Sequence, residues 1–175
     1  MLSPKLRTAL TLGLPLLVAD CVTKRVAVAE LAPHHPREIV SDVVRLTLAY
    51  NTDAAMGLSL GSWSRWGFAT LALAIIAILM GMLRKAEPTE RLRAAAVGCL
   101  AAGALGNLLD RLRWDRGVVD FIDIGIGATR FWTFNLADLA VTTGVVLLMV
   151  AFYRHAPPSV PQEGASHNPH SHQDG

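Results

Sequence analysis

Three stretches of this chain run long without breaking into charge, and nothing else in it constrains the fold as strongly. Trp66 to Leu83 is eighteen residues without Asp, Glu, Lys or Arg, and Ala94 to Leu109 is sixteen more. Phe134 to Tyr153 carries a single charge, Asp138. A fourth block, Thr8 to Val28, is apolar apart from Asp20, Lys24 and Arg25. A helix crosses a bilayer with ~20 mainly apolar residues, or somewhat fewer when flanking side chains snorkel. The Trp66–Leu83 block is apolar all round, whereas a helix on the surface of a soluble bundle keeps one polar face. The pattern therefore predicts a membrane protein, mainly α, with four transmembrane helices over about 8–28, 66–83, 94–112 and 134–153.

Of the 175 residues, 52% are hydrophobic and 17% charged, consistent with one membrane domain over 1–155. The remainder, 156–175, is rich in Pro, Ser, His and Gly and reads as a disordered cytoplasmic tail. His167, His170 and His172 within it fit such a tail better than a metal site. Cys21 and Cys99 both lie in apolar blocks and read as small buried residues, without metal-ligand spacing.

The first block looks like a secretory signal: Lys5 and Arg7, an apolar run, then Ala19-Asp20-Cys21. A cleavage site requires small residues just before the cut. Asp20 stands directly before Cys21, and the apolar pattern resumes with Val26 to Val28. The expectation is a retained helix.

Four spans place both termini on one side of the membrane. Termini inside puts seven of the sixteen Lys and Arg in the cytoplasm: Lys5, Arg7, Arg84, Lys85, Arg91, Arg93 and Arg154. The short Arg84–Arg93 connection concentrates four of them, and short loops weigh most in setting orientation. The chain is thus expected to keep its termini cytoplasmic. Of the outer segments, about 29–65 contains EIVSDVVRLTL (Glu38–Leu48), which predicts one or two short strands, then a glycine-bearing loop from Asn51 to Leu60. The other, about 113–133, contains a strand-like run from Val118 to Ile122.

Ionisable groups inside spanning helices cost about 2.5–3.5 kcal/mol each at the centre and call for a reason. Here they form four sets: Asp20/Lys24, Asn107/Asp110/Arg111, Asp120 and Asn135/Asp138, with Asn51 nearby in the outer segment. The first and third helices run outward and the fourth runs inward, so all four sets fall at one face of the membrane. Asp20 and Lys24 are i, i+4 and can pair; Asn107, Asp110 and Arg111 share a helix face. Ala94, Gly98, Ala102 and Gly106 recur every four residues, which permits close helix packing, and Asp110 is next in the series. Asp20–Lys24 and Asp110–Arg111 read equally well as neutralised pairs that only fasten helices. Asp120 and Asp138 have no such cation nearby in sequence. Two unpaired carboxylates at one depth suit aspartic acid–base chemistry: brought close they cannot both ionise easily, so one keeps a proton while the other activates water. The chain has no H-E-x-x-H and no G-x-S-x-G. A transport or ion-relay protein using the same carboxylates is the alternative, although a relay distributes its ionisable groups through the membrane depth.

These residues resemble bacterial lipoprotein signal peptidase (signal peptidase II). The likeness runs from Leu14 to about Val150 and rests on GNLLDR (Gly106–Arg111), GVVDFI (Gly117–Ile122) and FNLAD (Phe134–Asp138), with D-x-x-T-K (Asp20–Lys24) and N-T-x-A-A (Asn51–Ala55). Each motif alone is weak; in this order they are specific. The resemblance implies an aspartic endopeptidase of the bacterial cytoplasmic (inner) membrane, with a small extracytoplasmic β-cradle and an extended outer loop. Such an enzyme cuts prolipoproteins before a diacylglyceryl-modified cysteine and is inhibited by globomycin. It also implies Asp120 and Asp138 as catalytic residues. Asp20, Lys24, Asn51, Asn107, Asp110, Arg111 and Asn135 become supporting or substrate-binding residues, with Arg111 orienting substrate backbone or the nearby carboxylate and Asn107 and Asn135 positioning the dyad. No cofactor or metal is expected, and the partners are prolipoprotein substrates and membrane lipids rather than nucleic acid, for a monomer. The chain departs from the family pattern at Cys21, where Gln is usual, and at Asp53 and Met56, where Gly and Phe are usual.

Overall fold

A computed structural model describes residues 2–52 and 61–155. Asp53, Met56, most of the extended outer loop and the tail from 156 lie outside the described residues.

The first helix, α1 (Pro4–Glu30), begins where a chain of this composition should. Ser3 caps it, accepting from the Leu6 amide at 3.4 Å, and Pro4 follows where a missing N–H costs nothing. It continues unbroken through Asp20 and Cys21 to Glu30. The helices α2 (Ser64–Lys85), α3 (Arg91–Arg113) and α4 (Leu136–His155) complete the bundle. Of the four, α2, α3 and α4 are long and apolar enough to cross a membrane. The longest, α1, is not among them and carries Asp20, Lys24 and Arg25 in its second half.

The central helix is α3, which packs against each of the other three. Its small residues make that possible. A Cβ on Gly98 would collide with the Ala9 backbone of α1, and one on Gly103 with the Ala137 carbonyl of α4. The expected inward series holds: Ala94, Gly98, Ala102, Gly106 and Asp110 are all buried. At the other end of the bundle, Lys5 Nζ donates to the Arg84 and Ala86 carbonyls at 2.6 and 2.7 Å, satisfying oxygens that the end of α2 leaves without helical partners.

Outside the helices lies a four-stranded antiparallel sheet in sequence order: β1 (Arg37–Val40), β2 (Val44–Asn51), β3 (Val118–Ile126) and β4 (Thr129–Arg130). The strands expected within 38–48 and 118–122 are present and longer. β2 runs on to Asn51 and β3 to Ile124 because each supplies the other's partners, and β4 pairs with the last two residues of β3, Gly125 and Ile126. The register places Ala49 opposite Asp120 and Asn51 opposite Val118. Beyond β4, Phe134 bridges back to Ile122, so the chain enters α4 directly beside β3. The two-residue β4 was not legible in the sequence. Arg130 fixes it, pairing with Asp123 at 3.0 Å and donating to the Asp42 carbonyl at 2.6 Å.

Candidate active site

The sheet and the helix ends meet where β3 passes between α3 and the start of α4. Gly117, the residue before β3, has φ +89, a left-handed conformation that side chains disfavour, and lies against the Asn51 backbone where no Cβ would fit. This close approach brings Asn51 beside Asp120: Asn51 Nδ2 donates to Asp120 Oδ2 at 3.3 Å. Asp120 faces inward from β3 and is buried.

The second carboxylate is placed by the start of α4. Asn135 is the N-cap. Its Oδ1 accepts from the Asp138 amide at 3.0 Å, while Asp138 Oδ2 accepts from the Asn135 amide at 3.0 Å. This is a capping box with Asn and Asp in the two roles, and it holds Asp138 in the first turn, where the helix dipole favours negative charge. The fourth span, expected from about 134, starts as a helix at Leu136 because Asn135 is spent on the cap.

Two amides tie the carboxylates together. Asn135 Nδ2 donates to Asp120 Oδ1 at 2.7 Å, and Asn107 Nδ2 donates to Asp138 Oδ1 at 2.9 Å. Asn135 Nδ2 also reaches Asn107 Oδ1, at 3.1 Å. Asn135 is completely buried, so this amide bridge lies beneath the two carboxylates rather than beside them.

A cation anchors the bridge from below. Lys24 Nζ lies 2.9 Å from Asp20 Oδ2, 3.0 Å from Asp110 Oδ2 and 2.8 Å from Asn107 Oδ1, so each of its three donors has a partner. Asp20, 1% exposed, also accepts from the Ala137 amide of α4 at 2.9 Å, and Asp110 accepts from the Val119 amide of β3 at 3.2 Å. One cation thus joins α1, α3, the start of α4 and β3. Gly106 makes room for it, since a Cβ there would overlap the Asp20 carboxylate. Asp110 pairs with Lys24 rather than with Arg111, the partner its sequence position suggests. Adjacent residues on a helix point in different directions, and Arg111 turns to stack over Phe68 at 5.6 Å while donating to the Asn107 carbonyl at 3.3 Å.

Above the bridge opens a cavity of about 780 Å³. Asp120, Asp138, Asn51, Asn107 and Arg111 reach its wall, which is otherwise mostly apolar and includes Val118, Phe134, Leu139 and Val141. Asp20, Lys24, Asp110 and Asn135 do not line it. The nine residues singled out in the sequence therefore divide into five at the cavity and four that support it. An aromatic rim not expected from the sequence, Phe131 and Trp132, also lines the cavity, with the two rings meeting edge-on at 4.7 Å. The cluster F-W-T-F before Asn135 was visible, but its position at the mouth depends on the turn after β4.

The surroundings also bias the charge of Asp120. Burial, and then the neighbouring Asp138 charge, push its carboxyl up to about 7, against the hydrogen bonds from Asn135 and Asn51 that favour the anion. At neutral pH the site can therefore hold one proton between two carboxylates. Among the described residues no cluster of His, Cys, Asp and Glu could hold a metal ion.

Residues 12–154 match the family described as Signal peptidase (SPase) II. The lipoprotein signal peptidase of Hydrogenovibrio crunogenus is 36% identical over 152 residues, covering 86% of this chain and 87% of its own. That of Ectopseudomonas mendocina is 36% identical over 148 residues, covering 83% and 87%. A bacterial membrane enzyme structure solved at 2.3 Å superposes with a TM-score of 0.76 at 28% identity, over 89% of this chain and 93% of that one. The sequence match runs through α1, both strand segments and α4, and so takes in every element that carries the site: the chain belongs to the signal peptidase II family.

Proposed function

We propose that this membrane protease cuts prolipoproteins before a diacylglyceryl-modified cysteine, by water attack between Asp120 and Asp138. The observation that carries this reading is one cavity, largely apolar, with two amide-bridged carboxylates at its base. Its apolar wall suits a lipidated substrate, and its polar floor suits peptide hydrolysis.

In the mechanism, Asp138 is the base. It already accepts from Asn107 and from the Asn135 amide at the positive end of α4. Water adds to the scissile carbonyl and gives its proton to Asp138. Asp120, protonated through its burial, donates to the carbonyl oxygen. The tetrahedral diol then collapses as a proton passes to the leaving amine, and the pair ends with the single proton it began with. Arg111, on the cavity wall, orients the substrate backbone.

Four spans are the arrangement that serves this chemistry. With α1 crossing, its Asp20–Lys24 end meets the ends of α3 and α4 at one face, and the sheet caps that face. Trp63, Trp66 and Trp132 are exposed near that end and Tyr153 near the other, as the aromatic belts of a spanning protein would be. The cations concentrated in Arg84–Arg93 support cytoplasmic termini, with the cavity opening toward the outer face of a bacterial inner membrane.

The test is a reconstituted reaction with purified protein and a prolipoprotein, with and without its diacylglyceryl group. Release of the signal peptide is expected only from the modified substrate. A folded protein that leaves the modified substrate intact would overturn the reading. The pH dependence follows from Asp120. Below about 7 the dyad keeps its proton, and above it Asp120 ionises and the acid is lost. kcat/KM is thus expected to fall as pH rises through about 7. A flat profile from pH 6 to 9 would remove Asp120 from the acid role.

A further inference from the structure

A second, smaller recess lies on the opposite side of Lys24 from the active-site cavity, in the seam between α1 and α3. It measures about 140 Å³, room for about four or five waters, and Arg25, Val28, Leu109, Arg113 and Trp114 help to line it. Lys24 at its floor is shared between Asp110 and the deeper Asp20. Arg25 and Arg113 do not share in that pairing. Both are exposed, and neither makes an ion pair or side-chain hydrogen bond among the described residues.

Neither arginine is needed to finish a helix. The last carbonyls of α3 are already satisfied by Arg65, which donates to the Arg111 and Leu112 oxygens at 2.6 and 3.1 Å. Arg25 lies more than a turn before the end of α1. Two guanidinium groups with free donors therefore flank the recess and outnumber the one carboxylate charge that Lys24 leaves unbalanced beneath it, beside an indole of the kind that favours headgroup depth.

The surface running from the recess toward the middle of the bundle is apolar. Leu14, Val18 and Val22 are exposed along one side of α1, with Arg25 continuing the line, and Leu109 and Leu112 are exposed on α3. A phosphate at the arginines would thus set two acyl chains against a continuous hydrocarbon-facing strip.

We propose that this recess binds the phosphodiester of an anionic diacyl phospholipid, held by Arg25 and Arg113, with its chains along the Leu14–Val18–Val22 stripe. Charge complementarity selects the occupant: two unpaired cations favour a net-negative headgroup over a zwitterionic one, whose own ammonium they repel. The bound lipid fills the seam directly behind Lys24 and shields the buried ion cluster from water without entering the catalytic cavity. The leaflet occupied rests on the orientation proposed above; the binding itself does not.

The probes are dioleoyl phosphatidylglycerol and dioleoyl phosphatidylcholine, added to the full-length protein in detergent and counted by native mass spectrometry. Wild type is expected to retain the glycerol lipid about tenfold better than the choline lipid. The Arg25→Gln/Arg113→Gln double variant is expected to retain the two alike. An Arg84→Gln/Lys85→Gln variant removes the same charge at the far end of α2 and is expected to keep the preference. Glycerol phosphate, which lacks the chains, is expected not to displace the lipid. Absence of preference in wild type, equal loss in both double variants, or displacement by glycerol phosphate would each overturn the site. Melting temperature and prolipoprotein cleavage in lipid-free detergent are expected to be unchanged in Arg25→Gln/Arg113→Gln, which separates this outcome from a failure of the protease assignment.

Discussion

Asp120→Asn and Asp138→Asn are each expected to lower prolipoprotein cleavage by about a thousandfold or more, the scale on which a positioned acid or base contributes. The two variants should nevertheless differ in stability. Asp120 accepts from Asn135 at one oxygen and from Asn51 at the other, and the second contact is long, at 3.3 Å. An amide there keeps the Asn135 bond and gives up only the weaker one. Asp138 has no such slack. Its oxygens accept from the Asn107 side chain and the Asn135 amide, so an amide nitrogen must face one of two donors. Asp138→Asn therefore loses half of the capping box or half of the bridge, a cost of about 1 kcal/mol. Cleavage kinetics with thermal melting in detergent would separate the effects. Either variant retaining activity within tenfold of wild type would remove its carboxylate from the chemistry.

The residues of this site were legible in the sequence, and their division of labour was not. Carboxylates and amides stranded at the ends of apolar blocks gather at one end of the bundle, where α1 and α3 finish and α4 begins. The i, i+4 pairing of Asp20 with Lys24 and the inward series ending at Asp110 followed from helix geometry alone. What sequence spacing could not decide was which partner a long side chain selects. Lys24 reaches across to α3 for Asp110 and Asn107, and that choice depends on how closely α1 and α3 approach at Gly98 and Gly106. Nor did the pattern separate residues that line the cavity from those beneath it. Asn107 and Asn135 look equivalent in the chain, yet one reaches the cavity wall and the other is wholly buried, because Asn135 is consumed in capping α4. The fold showed a similar limit. Strand segments were visible in their β-branched runs, but the extent of β2 and β3 depends on pairing between segments about seventy residues apart, and β4 is a two-residue hairpin return onto β3 too short to leave a pattern.

Lys24→Met is expected to cost about 3–5 kcal/mol of stability, the largest effect of any single supporting residue, because it leaves two buried carboxylates without their shared counter-charge. Asp20 and Lys24 are 1% and 3% exposed and lie outside the active-site cavity, so they act on the site from beneath. The loss would also reach the chemistry. Lys24 fixes the Asn107 oxygen, which turns the Asn107 nitrogen toward Asp138. Without it that amide can rotate, and the base loses a donor. Asp20→Asn separates the contributions, since the amide oxygen can still accept from the Ala137 amide while the negative charge is gone. Asp20→Asn alone leaves Lys24 paired with Asp110. Combined with Lys24→Met, it removes one of the two carboxylates that the first change strands. The double variant is therefore expected to be more stable than the sum of the two single costs, a coupling of about 1–3 kcal/mol between residues in one network. Denaturation of the four proteins in the same detergent measures it. Additive costs, or a Lys24→Met protein within 1 kcal/mol of wild type, would show that the dyad stands without the cation beneath it.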